Sequence, residues 1–139
     1  MSVLRCDPRL DKSKCTRVPV SCLSKILNLN KEALTVTVEP NVSVQEAADF
    51  LVPRGFMLAS HLEYGRATLG GLAMAVGMTT HAHHTGLLQE TVVSYEVVLA
   101  SGEVLTVTRE SHSDLFHALP VRSIFPRIMS LHSLSQLIF

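Results

Sequence analysis

Between residues 67 and 88 the chain reads ATLGGLAMAVGMTTHAHHTGLL, and no other stretch restricts its fold as much, because glycines and small side chains crowd there beyond what an ordinary core needs. A backbone this bare can lie close against another surface or a ligand. Gly70 and Gly71 lack a Cβ, so the pair is expected to take positive φ and turn consecutive N–H groups toward an anion. Residues 72–78 then read as a short apolar helix or turn starting at the pair, and helix N-termini attract phosphate. The spacing of Gly65, Gly70, Gly71 and Gly77 gives no Rossmann fingerprint, and no Lys-Ser or Lys-Thr follows to make a Walker loop. On these residues alone, a tight turn ahead of a buried helix explains the pair as well as a ligand loop does.

With 139 residues and 47% hydrophobic content, the chain is one domain at most and can bury a core. Twelve basic residues balance twelve acidic ones, so no net field draws in nucleic acid or an anionic membrane. Charges at Arg5, Asp7, Arg9, Asp11 and Lys12 leave no apolar centre for a secretory signal, and no apolar run is long enough to span a bilayer. Cys6, Cys15 and Cys22 are odd in number and spaced like neither a zinc knuckle nor a redox pair. Ordinary reduced thiols in a reducing, cytoplasmic compartment are the expectation.

Local patterns predict a mixture of strands and helices. After a basic, Pro-containing approach at 14–20, Leu23, Ile26, Leu27 and Leu29 suggest a short buried segment, with a polar turn at 28–32. Residues 34–40, LTVTVEP, alternate as a half-buried strand ended by a proline. Ser43 and Glu46 stand in capping-box spacing, and Val44, Ala47, Ala48 and Leu51 follow at helical intervals toward Pro53 and Gly55. Residues 56–59 read as a short strand. Residues 92–99 and 104–107 are β-rich runs joined across Ser101-Gly102, a two-residue turn that suits a hairpin. Ser113 is expected to cap a short helix through Asp114, Leu115 and Phe116, stopping at Pro120. The sum is an α+β domain.

The order LTVTVEP, a capped helix, TLGG with MAVG behind it, YEVVLASGEVL and SDLFHALP resembles the FAD-binding, PCMH-type domain of delta(24)-sterol reductases, within the vanillyl-alcohol oxidase superfamily. The resemblance runs from about Val3 to Pro120 and implies that residues 68–80 lie along the pyrophosphate and ribityl chain of an extended FAD. By that resemblance Thr68, Gly70, Gly71, Met74 and Gly77 match the family pattern, Leu69 and Met78 are conservative replacements, and Thr79 and Thr80 complete the segment. His83 and Gly86 match just downstream. Departures fall at Ala75, where the reductases have glycine, at Thr79, where they have an acid, and at Arg66 and Ala67, which replace an aspartate pair.

The resemblance also implies a domain truncated at both ends. The family's first phosphate-cradling loop would precede Met1, and its GTLG strand, which contacts the cofactor again and leads to a substrate domain, is replaced here by VRSIFPRIMSLHSLSQLIF. We therefore divide the chain into a partial FAD-binding domain, 1–120, and a divergent tail of unknown structure, 121–139, of the kind a splice-variant end, a gene-model end or readthrough into noncoding sequence would leave. The implied function is the FAD-binding portion of an oxidoreductase that reduces a sterol side-chain double bond with NADPH through FAD. The fragment alone is expected to be inactive. Full-length relatives would reside at the endoplasmic reticulum membrane, anchored by an N-terminal segment. The other reading is a noncatalytic interaction module that associates with a full-length homologue and modulates its assembly.

Competing chemistries find less support. His81, His83 and His84 are close in sequence, but no Cys or carboxylate stands at ligand spacing and adjacent histidines on an extended chain point apart, so no metal site is assigned. His112, Asp114 and His117 lie near one another, yet no Gly-x-Ser-x-Gly elbow accompanies them. Tyr64 and Tyr95 read as packing residues, and no catalytic residue is assigned.

Overall fold

Apolar and hydroxyl residues alternate along the strands of this chain, and the fold uses that alternation to give one sheet a dry face and a polar one. In the computed structural model, which describes residues 21–75, 77–79, 82–120 and 128–139, β1 (Ile26–Asn30) pairs with β2 (Thr35–Val38). A second pair is β3 (Val92–Leu99) and β4 (Val104–Thr108), and β5 (Ile128–Leu137) lies between the two pairs. The order is β1-β2-β5-β3-β4, antiparallel throughout. Val36, Val38, Tyr95, Val97, Val107 and Leu134 are buried in one cluster with residues from α1 (Val44–Leu51), α2 (Leu69–Met74) and α4 (Ser113–Ala118). A single helical turn, α3 (Ala82–Thr85), completes the helices. On the polar face Asn28, Thr37, Ser135, Ser94 and Thr108 stand opposite one another across all five strands, with Thr37 Oγ1 2.8 Å from Ser135 Oγ. The α+β class is as expected.

The expected capping box starts α1. Glu46 N–H donates to Ser43 Oγ at 3.2 Å, and Ser43 N–H donates to Glu46 Oε2 at 2.8 Å. The Ser43 hydroxyl, which also donates to Glu46 Oε2 at 2.6 Å, and then the Ser43 amide hold the Glu46 carboxyl below its ordinary value. The helix buries Val44, Ala47 and Leu51, passes into a 3-10 turn at Val52–Arg54, and ends at Gly55 with φ 82°.

Several local expectations are corrected. The apolar segment near Leu27 is the edge strand β1, with Leu27 exposed and the turn displaced to residues 31–34. Residues 56–59 form no strand. They make an isolated bridge between Leu58 and Ile138 and reciprocal 2.9 Å bonds between Met57 and Phe139. Four residues, 100–103, separate β3 from β4 rather than two. Leu99 N–H donates to Glu103 O at 2.8 Å, Gly102 N–H donates to Leu99 O at 2.9 Å, and Gly102 takes φ 86°, a turn closed by a left-handed glycine. Ser113 is the first residue of α4 rather than its cap, a position held by His112 in the left-handed region at φ 59°.

The largest difference lies in the tail, where the sequence suggested no element. Residues Ile128–Leu137 are the central strand, pairing Val36 with Gln136 and Val38 with Leu134 on one side, and Tyr95 with Leu134 and Glu96 with Ser133 on the other. Leu134, Gln136 and Ile138 are buried. The basic approach at 14–20, Cys6, Cys15, Thr80 and His81 lie outside the described residues, and Cys22 is exposed.

Candidate functional site

The glycine-bearing segment is fixed by the loop that precedes α1. Residues 65–70 run beside residues 40–45, with Gln45 N–H donating to Gly65 O, Val44 N–H to Ala67 O, and Leu69 N–H to Val42 O at 2.8–2.9 Å. Leu69 is fully buried and anchors the start of α2. Thr68 caps the helix, its Oγ1 accepting from Gly71 N–H at 3.3 Å.

This geometry corrects the expected conformation of the glycine pair. Gly70 and Gly71 are helical, and positive φ among the described glycines occurs at Gly55, Gly86 and Gly102. Helix α2 begins at Leu69 and ends at Met74, ahead of the expected 72–78. The Gly70 N–H is spent on Pro40 O at 2.9 Å, so it is not turned toward an anion. Gly70 is glycine for another reason. It is buried against Pro40, and a Cβ there would lie 2.7 Å from Pro40 Cα and 2.8 Å from Pro40 O.

The other glycines divide in the same way. Gly77 is buried, and a Cβ would fall 2.8 Å from that of Leu88. Gly86 takes φ 75° at the end of α3, where a side chain would meet the Glu90 carboxylate. Gly71 alone of these four is exposed, and its Cβ would meet only Thr68 Oγ1 at 2.8 Å. In this strip of the sequence Thr68, Leu72, Met74 and Thr79 are half-buried and Ala75, Met78 and His83 are exposed. The His83 and His84 rings sit 4.0 Å apart, and among the described residues no group of three His, Cys, Asp or Glu side chains is placed to hold a metal ion.

Beside α3 lies a mostly apolar cavity of about 280 Å³, lined by Met57, Leu58, Ala59, His61, Glu63, Thr85 and Phe139. Sequence reasoning missed these residues except as a supposed strand. They converge through the Met57–Phe139 pairing, a contact between distant parts of the chain that no local pattern signals. Of the remaining candidates, Tyr95 is a fully buried core residue whose phenol is pushed up to about 12 by burial, and Tyr64 is exposed. His112 precedes α4, while His117 packs edge-on against Phe116.

The strip suits an extended flavin dinucleotide in part. Gly71 and Ala75 are exposed and carry little or no side chain, and the Thr68 hydroxyl can donate to a polar atom, whereas the Gly70 amide is engaged by Pro40 O and the Gly71 amide by Thr68 Oγ1. Comparison with known proteins agrees with this shape, since a family model described as an FAD binding domain matches residues 9–108. The chain belongs to this FAD-binding family. Its relatives include the delta(24)-sterol reductase of Arabidopsis thaliana, 41% identical over 96 residues that cover 68% of this chain and 17% of that protein. The delta(24)-sterol reductase of Homo sapiens is 36% identical over 98 residues, 70% of this chain and 19% of that one. Among solved structures, chitooligosaccharide oxidase superposes with a TM-score of 0.72 at 23% identity, covering 84% of this chain and 24% of the oxidase. The fold is thus that of a PCMH-type FAD-binding domain, and the chain spans under a fifth of these two reductases' length. No helix of the described residues is long and apolar enough to cross a membrane.

Proposed function

We propose that this FAD-binding chain is the cofactor-holding part of a flavoprotein oxidoreductase that reduces a sterol side-chain double bond. The observation that carries the reading is the 41% identity to a delta(24)-sterol reductase, supported by the side-chain-poor strip within the family match. FAD, when bound, relays a hydride from NADPH to one alkene carbon while a proton adds to the other. On this reading Thr68 meets the cofactor through its hydroxyl and Gly71 through its bare backbone, Met78, Thr79 and His83 flank it, and Leu69, Gly70, Met74, Gly77 and Gly86 shape the segment. A full-length protein of this kind would work at the endoplasmic reticulum membrane, where its sterol is dissolved.

Because the strip supplies few free donors, the diphosphate lacks most of the charge-assisted hydrogen bonds, worth about 1.5–3 kcal/mol each, that tight binding requires. Titrating FAD with the purified chain and following flavin fluorescence should therefore show weak quenching and no sterol reduction. Submicromolar affinity would contradict the reading of an incomplete cofactor site.

A second reading is favoured by one observation. Met57 and Phe139, which line the cavity, are 50% and 63% exposed, an apolar surface that a protein partner could cover. As a noncatalytic module the chain would associate with a full-length homologue. Co-purification with such a reductase without flavin supports this role, whereas yellow colour on the purified chain supports the oxidoreductase reading.

A further inference from the structure

Beyond the cofactor strip, α4 and the residues after β4 enclose a second concavity of about 370 Å³, lined by Gln89, Glu90, Arg109, Phe116, His117 and Pro120. None of these residues belongs to the strip. Arg109 is its fixed point. One guanidinium nitrogen donates to Glu90 O at 2.9 Å, and the guanidinium carbon lies 5.3 Å from the centre of the buried Phe116 ring. The imidazole of His117 stands edge-on to the same ring, centroids 5.4 Å apart.

The charged groups in its wall are the Arg109 guanidinium and the Glu90 carboxylate. Glu90 Oε2 accepts from Leu87 N–H at 2.6 Å. Among the described residues no carboxylate forms an ion pair with Arg109, which retains unused donors of the forked guanidinium. A surface arginine is ordinarily solvated and mobile. Here backbone and aromatic contacts already hold the side chain, so less ordering entropy remains to be lost on binding.

We propose that this concavity is a small-oxyanion site, in which Arg109 takes two oxygens of a carboxylate or phosphate group and the exposed His117 ring donates to it. The site is independent of flavin and of the oxidoreductase reading.

Isothermal titration of the full chain with sodium phosphate, sodium acetate and glycerol phosphate, each in chloride-matched buffer, tests the proposal. Saturable one-to-one binding is expected for at least one of them. Acetate binding identifies a carboxylate ligand, phosphate binding a phosphoryl ligand, and preference for glycerol phosphate over phosphate a phosphomonoester. Arg109→Gln should weaken binding about tenfold or more, with Arg109→Lys in between, at unchanged far-ultraviolet circular dichroism. Absence of saturable binding, or affinity indifferent to Arg109→Gln, overturns the proposal. Should Arg109→Gln not fold, His117→Gln decides, since it changes only an exposed ring: a loss of about threefold supports the site and unchanged affinity overturns it.

Discussion

Gly70 and Gly71 are neighbours in sequence, yet the fold asks different things of them. Gly70 is small because Pro40 presses on it, while Gly71 faces outward with only a rotatable hydroxyl above it. Gly70→Ala should therefore destabilise the protein by about 1–3 kcal/mol through overpacking. Gly71→Ala should leave stability nearly unchanged, helped by alanine's higher helix propensity, and should weaken flavin binding in a longer homologue with this segment. Thermal melts of both variants, with flavin occupancy measured in the homologue, distinguish packing from cofactor contact. Tyr95 gives a second residue-level test. Its hydroxyl is buried with no hydrogen-bond partner among the described residues, and burial pushes the phenol up to about 12 from 10.0. A folded state that holds this proton more tightly than the unfolded chain loses stability as pH rises from about 10 toward 12. Tyr95→Phe should remove that alkaline loss and be neutral or stabilising by about 1 kcal/mol near neutral pH, as melts across the alkaline range would show.

At the scale of elements, legibility followed locality. The capping box of α1 and the β3–β4 hairpin were readable because Ser43 with Glu46, and the alternating valines about Gly102, act within a few residues. Strand β5 was not, because its serines, Gln136 and Leu134 make a weak pattern alone. Its placement comes from partners on β2 and β3, remote in sequence. The glycine segment stood out in the sequence, but which of its amides are engaged depends on Pro40 and Val42, which no spacing rule links to it. Removing β5 tests its importance. A chain ending at Pro120 would leave β2 and β3 as unpaired edges and uncover Val36, Val38 and Tyr95, so it should lack a cooperative melt and digest rapidly with protease.

For the whole molecule, the two concavities described lie in different surroundings, one mostly apolar beside α3 and one holding Arg109 and Glu90 beside α4, so occupancy of either can be followed without the other. The sheet order has another consequence. Its middle member, β5, is the last strand in sequence, whereas the hairpins it joins are complete much earlier. On the ribosome those hairpins must wait, apolar faces unmatched, until β5 emerges and slots between them. Nascent chains stalled before β5 should accordingly be clients of chaperones that shield exposed sheet.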